Sequence, residues 1–297
     1  MIRFYIYRFK LLDAPQKNNA RLLPIQVSKS GVLKKIILMR PGAFVRKGIE
    51  WTMADSEELG DGLIFFKFGR ITKKQKDKFD RDSRSFYEMI DDDIDKVACF
   101  YDANFQVLAI EKNNSAPTPN TISKYISKIV TSCKDLEYIK HGLTADEFML
   151  LNLTNAKIDA ISDPLEFIEY LKKSYKVTRF EVFFGKDNPY DFEETLQRPM
   201  QRYLKDVEGE EAGTFVSSRE GLNKNKIIDI AKAAAAYGEN ATAKVYHNES
   251  SIAETIRLKK KQDEAFIEIY EDDIVTKKRK IFDLIKEKYL KIRGYVT

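Results

Sequence analysis

The chain has 297 residues, of which 43% are hydrophobic and 33% are charged, and this balance predicts a folded protein with one large or two ordinary domains. The net charge is only +5 from 51 basic and 46 acidic side chains, so the distribution of charge matters more than its sum. No apolar run approaches the ~20 residues of a membrane span, and the two cysteines lack a CxxC spacing, which favours a reducing compartment. We therefore expect a cytoplasmic protein without a membrane partner.

Residues 1–142 predict an antiparallel, strand-rich domain with one amphipathic helix. Alternation over residues 2–11 indicates a first strand, whereas residues 12–50 are weakly patterned and favour only brief strands, such as Ile36 to Met39. The later elements are expected in this order: a strand at 63–68, a turn-rich basic stretch at 70–84, short strands at 86–90, 96–101 and 106–111, and a helix with its apolar face from Ile122 to Cys133.

Residues 143–297 predict an α+β domain that contains a βαβ unit, with a mixed sheet of the ferredoxin-like kind. The unit is read from residues 157–186, where a short strand precedes Asp163, Pro164 and Glu166, the residues of a helix start. Alternation returns at 177–184. Further elements are expected at 224–237 (a helix capped by Asn223), 241–247 and 265–270 (strands) and 276–292 (a closing helix). The fold class is therefore α+β.

The first candidate site is the basic stretch, which nets +5 when its three aspartates are counted. Such clusters neutralise phosphates, and neighbouring phenylalanines offer faces for base stacking. The alternative is a solvated loop on a lysine-rich protein. The candidate nucleic-acid-binding residues are Lys67, Arg70, Lys73, Lys74, Lys76, Lys78, Arg81 and Arg84.

A second basic region opens the last helix. Cations at a helix start are unfavourable against the macrodipole, so an anionic partner is one reason for them. A solvated helix face is the alternative. The residues of this region are Lys277, Lys278, Arg279 and Lys280, joined by Lys259, Lys260 and Lys261.

The acidic run Asp91, Asp92, Asp93 and Asp95 raises the alternative of a divalent metal for phosphodiester cleavage. The sequence favours a turn between two short strands as the explanation of this run, since Lys96 follows it at once. A strand-borne Glu-x-Lys pattern is not matched, because Glu111 directly precedes Lys112. The two histidines, His141 and His247, lack neighbours that suit zinc or acid–base chemistry. We therefore predict no catalytic residue, metal or cofactor. The loop at 185–189 is the best small-molecule candidate, with a simple lysine-bearing turn as its alternative.

Three segments resemble features of uncharacterised prokaryotic families of unknown function that are found beside phage-defence genes. They are GLIFFKFG (62–69), the strand pair at 96–111, and SREGLN (218–223) ahead of the alanine-rich helix. The resemblance implies an intracellular bacterial defence setting. It carries over no catalytic residue.

These observations predict an accessory protein that binds nucleic acid through its two basic regions, within an antiviral system. One alternative is a metal-dependent nuclease or toxin that uses the acidic run. Another is a homo-oligomeric or partner-binding scaffold subunit, whose partner is encoded nearby. This last alternative rests on Tyr5, Tyr7 and Phe183, because the strands that hold them carry apolar groups on both faces.

Overall fold

A computed structural model describes residues 1–13, 28–39, 44–113, 118–132, 144, 154–185, 204, 207, 211–258, 264–270 and 277–294. Its internal contacts divide the chain into two compact units. The first unit comprises Met1–Phe4 and Phe9–Ile158, and the second comprises Tyr5–Arg8 and Asp159–Thr297. The predicted domain boundary at residue 142 lies outside the described residues.

The first unit is built on a strand order of β2–β3–β4–β5–β6–β1, and every pair from β2 to β6 is antiparallel. This confirms the prediction of an antiparallel, strand-rich first half. The strands are β1 (Ile2–Asp13), β2 (Phe44–Arg46), β3 (Ile49–Glu58), β4 (Leu63–Asp80), β5 (Ser85–Asp102) and β6 (Val107–Glu111).

Two helices accompany these strands, α1 (Lys29–Met39) and α2 (Pro119–Ser132). The α2 helix was predicted, whereas the brief strand expected at residues 36–39 is wrong. Val32, Leu33, Ile36 and Ile37 are buried together because they recur at helical spacing, which makes one apolar stripe. The run is too short and too uniformly apolar for alternation to reveal the period.

Aromatic packing fills the core of the first unit. Phe100 lies 5.3 Å from Phe4 and 5.1 Å from Phe65, measured between ring centroids. Trp51 stacks on Tyr125 of α2 with the centroids 4.2 Å apart. Such pairs add to the burial energy of the rings, so α2 is anchored to the sheet by this stack.

The longest element pair is the β4–β5 hairpin, which stays in register over 18 residues from Leu63 opposite Asp102 to Asp80 opposite Ser85. The turn-rich stretch expected at residues 70–84 is therefore wrong, since only residues 81–84 form the turn. The three short strands expected at 86–90, 96–101 and 106–111 are likewise two, β5 and β6. Lysines weaken a strand pattern in isolation, but here Lys73 and Lys74 lie across from Asp92 and Asp91.

The second unit contains a four-stranded antiparallel sheet in the order β11–β10–β8–β9. Its strands are β8 (Lys176–Gly185), β9 (Glu211–Ser217), β10 (Ala241–Tyr246) and β11 (Glu254–Arg257). Two more strands, β7 (Thr154–Ala160) and β12 (Phe266–Ile269), pair with β1 instead. The helices are α3 (Leu165–Lys173), α4 (Lys224–Ala236) and α5 (Lys278–Arg293).

The predicted strand–helix–strand order is present as β7, α3 and β8, but the βαβ interpretation is wrong. The flanking strands lie in different sheets, and the described pairs of the four-stranded sheet are antiparallel, so the sheet is not mixed. The α+β class stands, whereas a ferredoxin-like second half is not confirmed. Alternation defines a strand without naming its neighbour, which is why the sequence misled us here.

Residues at the ends of α3 and α4 fix where these helices begin and end. The Asp163 carboxylate accepts the N–H of Leu165 at 3.1 Å, and the Asn223 side chain accepts the N–H of Lys226 at 3.3 Å. Gly238 follows α4 with a φ of +69°, a conformation that favours glycine, and a Cβ there would lie 3.1 Å from that of Asp159. Asn223 caps α4 as predicted, whereas Pro164 rather than the predicted Asp163 occupies the N-cap position of α3.

The helices cover one face of the four-stranded sheet. Its apolar side chains on β8 and β10 are buried, where α3 and α4 pack. The small side chains of the Ala233 to Ala236 run permit close approach. The opposite face of the sheet carries the alternate residues. No helix in the described part of the chain is long and apolar enough to cross a membrane.

Strand β1 is covered on both faces by its own chain. Phe4 and Ile6 are fully buried, Tyr7 is buried, and Tyr5 packs on Phe266 with the ring centroids 5.8 Å apart. The two tyrosines therefore give no support to an exposed aromatic patch on this strand.

Candidate functional site

The predicted basic stretch lies on β4 and the hairpin turn. The pairing of β3 with β4 ends at Thr72, so residues 73–93 project as a two-stranded ribbon, called the arm below. Most side chains of the arm are exposed and none is fully buried. Lys73, Lys74, Lys76 and Lys78 lie on the arm, Arg81 and Arg84 lie in its turn, and Lys67 and Arg70 lie nearer the core.

Acidic residues of β5 neutralise much of the basic stretch. Arg70 pairs with Asp95, and Lys74 pairs with Asp93 at 2.5 Å. Lys76 and Lys78 each lie 3.8 Å from Asp91. The hydrogen bond from Lys74 holds the pKa of Asp93 below its ordinary value.

The charges of the whole hairpin cancel, although β4 alone is positive. Residues 63–102 carry nine cations and nine carboxylates, and within them residues 70–95 carry seven cations and eight carboxylates, a net charge of −1. A polyanion approaching the arm therefore meets as many negative as positive groups. The structure places the predicted residues of this stretch together but brings their counter-ions with them.

The acidic run lies within β5, so its interpretation as a turn is wrong. Asp91, Asp93 and Asp95 point to one face of the ribbon and Asp92 to the other, because side chains alternate along a strand. Within the described ranges, no three His, Cys, Asp or Glu side chains are grouped to hold a metal ion. The run serves as the acidic side of a cross-strand ion-pair ladder.

The other predicted site residues are scattered or undescribed. Lys277 precedes α5, and Lys278, Arg279 and Lys280 form its first turn. This helix packs on α4, away from the open side of the sheet. His247 is exposed and lies 2.8 Å from Glu254. Outside the described residues lie Lys259, Lys260, Lys261, Cys133, His141 and most of the loop at 185–189.

The structure reveals a surface that the sequence did not single out, on the side of the four-stranded sheet that no described helix covers. The register places two rows of side chains across the strands. One row is Phe215, Glu181, Thr242 and Arg257, and the next is Ser217, Arg179, Lys244 and Thr255. Lys176 lies opposite Tyr246 beyond a bulge, and Phe183 lies opposite Gly213. These twelve residues are called the open face below.

Cations and aromatic rings are in contact on the open face. The Arg179 guanidinium lies 4.0 Å from the centroid of the Phe215 ring, and the Lys176 ammonium lies 5.3 Å from that of Tyr246. Glu181 is 3.6 Å from Arg179. Phe215 is 54% exposed although it is a large hydrophobic residue. Aromatic faces and positive charge thus lie side by side.

The open face is positively charged and broad. Lys176, Arg179, Lys244 and Arg257 outnumber the single carboxylate of Glu181, which gives a net charge of +3. Within the described part of the chain, Lys244 and Arg257 form no ion pair. Four strands spaced about 4.8 Å apart make the face about 14 Å wide. A surface of this kind binds phosphates and stacks planar rings.

The function of this chain is inferred below from the geometry of its surfaces. No family of proteins matches this chain, and no curated protein matches it. The chain is an α+β protein whose second unit presents a basic, aromatic sheet face.

Proposed function

We propose that the protein binds single-stranded nucleic acid on the open face. The observation that carries the proposal is the contact of Arg179 with the exposed Phe215 ring, beside the further cations of the same face. Bases stack on aromatic rings and on guanidinium planes, and phosphates contact lysine and arginine. The face offers both kinds of contact within the ~14 Å width of four strands.

A single strand suits this face better than a duplex. The ring faces of bases are buried in a duplex stack, whereas unpaired bases expose them. The Phe215 ring is accessible on the sheet surface, and Tyr246 lies on the same face two strands away. The cations nearby then contact the backbone of the bound strand, with little dependence on its sequence.

Charge favours the open face over the first basic region predicted from the sequence. Residues 70–95, which hold seven of its eight cations, carry a net charge of −1, whereas the open face carries +3. Residues 277–280 of the second region carry +4, so it is the ring contacts of Arg179 and Lys176 that favour the open face there. Binding through the two predicted regions stays a prediction, and the arm-tip control below tests the first of them.

The test is the binding of fluorescein-labelled dT12 and U12 to the protein, followed by fluorescence anisotropy. Removal of both rings in Phe215→Ala with Tyr246→Ala should weaken binding by at least tenfold, because stacking contributes ~1–3 kcal/mol per base. Single-stranded probes should also bind more tightly than a 12-base-pair duplex.

The matched control is Phe79→Ala with Phe86→Ala, which removes two exposed rings from the tip of the arm. Its affinity should equal that of the wild type. Equal losses in both variants, or a loss confined to the arm variant, would contradict the assignment to the open face. Circular dichroism and thermal unfolding verify that each variant is folded.

The antiviral setting rests on the resemblance of the three segments alone. In that setting, a plating assay should show that the Phe215→Ala with Tyr246→Ala variant loses protection against phage. The arm-tip control should still protect. The nuclease alternative has no supporting observation in the described residues. Asp91, Asp93 and Asp95 of the acidic run form ion pairs with cations of β4 instead.

A further inference from the structure

The arm and the adjoining Ile94 together expose six large apolar side chains, more than a solvated ribbon needs. One of them, Phe79, lies on β4, and the other five lie on β5. Phe86 is 81% exposed, Ile90 69% and Ile94 57%, and Tyr87 and Met89 complete the set. An apolar group of this size on one strand marks an interaction surface.

The outer edge of β5 is also unpaired. Strand β6 pairs with β5 only from Cys99 onward, and within the described ranges residues 85–97 pair with β4 alone. The outer edge of this segment therefore has no partner strand, and a local hydrogen bond joins the Asp92 N–H to the Asp91 carboxylate at 2.9 Å. Such an edge is a template to which an extended segment adds as a further strand.

The side chains along this edge fall into two halves. Apolar residues dominate near the tip, from Phe86 to Ile90, and carboxylates dominate nearer the core, from Asp91 to Asp95. Between Ser85 and Asp95 the strand carries five carboxylates and no cation. An added strand would meet apolar groups along one half and negative charge along the other.

We propose that the edge of β5 binds an extended segment of a partner protein by strand addition. In antiparallel pairing, the segment carries lysine or arginine in its first half and apolar residues in its second half. Backbone hydrogen bonds supply affinity, and the matching of side chains on the two halves supplies specificity. This inference is independent of nucleic-acid binding on the open face.

Charge complementarity excludes the two other occupants. An antiparallel second copy centred on Ile90 would place Asp92 against Glu88, and like charges in directly opposite positions are destabilising. It would also place Asp91 and Asp93 against apolar side chains, with no added cation to neutralise them. A nucleic acid would bring phosphates to the five carboxylates of this edge. A basic segment gains from the same carboxylates.

The test uses a synthetic ten-residue peptide, acetylated and amidated, of sequence KVKKKVVKVV. In antiparallel register its lysines lie opposite Asp95, Asp93, Asp92, Asp91 and Glu88, and its valines lie opposite the apolar residues. Isothermal titration calorimetry with the full chain should give a micromolar dissociation constant. The same peptide with N-methylated backbone amides at alternate positions should bind at least tenfold more weakly.

The triple variant Asp91→Asn, Asp92→Asn and Asp93→Asn should also weaken peptide binding at least tenfold. Its control, Asp77→Asn with Asp80→Asn on β4, should stay within twofold of the wild type. Both variants keep the shape of the side chains and touch no buried residue, so the arm should remain folded. Equal binding of the N-methylated peptide, equal losses in both variants, no binding up to millimolar peptide, or self-association through the β5 edge would each overturn the proposal.

Discussion

Substitution of Lys244 on the open face should change how nucleic-acid binding responds to salt. If Lys176, Arg179, Lys244 and Arg257 each neutralise one phosphate, the log–log slope for a single strand is about −2.8, at about −0.7 per contact. The Lys244→Gln variant should have a slope of about −2.1. Between 50 and 200 mM salt, affinity should then fall about 50-fold for the wild type and about 20-fold for the variant.

The assay is a titration of labelled dT12 followed by anisotropy at five salt concentrations. The matched control is Lys74→Gln, which removes a lysine that already pairs with Asp93 on the arm. We expect its slope to equal that of the wild type. An unchanged slope in Lys244→Gln, or a smaller slope in Lys74→Gln, would refute the reasoning and return the phosphate contacts to the basic stretch of the hairpin.

Three further predictions concern stability. Tyr125→Ala should destabilise the first unit by ~3–5 kcal/mol and Tyr125→Phe by far less, as measured by the fluorescence of Trp51, the single tryptophan. The buried Asp102 accepts two backbone N–H groups of the following turn, so Asp102→Ala should cost ~1–3 kcal/mol in urea unfolding and Asp102→Asn should retain most of the stability. Burial raises the pKa of Tyr7 above its ordinary value of 10.0, so stability should be complete below pH 10 and fall as the pH rises above it. Tyr7→Phe should reduce that alkaline loss in urea midpoints measured at pH 9 and 11.5.

Much of the local structure could be predicted from the sequence, because caps and periodicity are local. The cap at Asn223, the Gly238 terminus and the apolar face of α2 at Ile122 and Tyr125 all lie where the pattern placed them. Sheet membership was not predictable, since β7 and β8 look alike in sequence and their partners are distant in the chain. The βαβ interpretation failed for that reason.

The open face was not predicted from the sequence, for a related reason. Its four cations are spread over three strands, with Lys176 and Arg179 on β8, Lys244 on β10 and Arg257 on β11, so no short window of the sequence contains all of them. Alternation on β8 did place Arg179 and Glu181 opposite the buried Phe180. What was missing was the register that brings Phe215 and Lys244 next to them, and register depends on pairing between strands distant in sequence.

The hairpin shows why a run of like charges is a weak guide to surface potential. Two runs of opposite sign, separated by a short turn, neutralise each other when the turn closes. Arg70, Lys73 and Lys74 lie across from Asp95, Asp92 and Asp91, and Lys76 and Lys78 each lie 3.8 Å from Asp91. The basic run on β4 and the acidic run on β5 therefore form one network of ion pairs. Considered alone, the first run suggests a nucleic acid as ligand and the second suggests a metal ion, but the paired runs favour neither. At residues 85–97 the outer edge of β5 has no partner strand in the described part of the chain. Backbone groups, apolar side chains and the outward side of the carboxylates are exposed along it. The two proposals thus concern separate surfaces of this chain, the open face for a single-stranded nucleic acid and the β5 edge for a basic peptide segment.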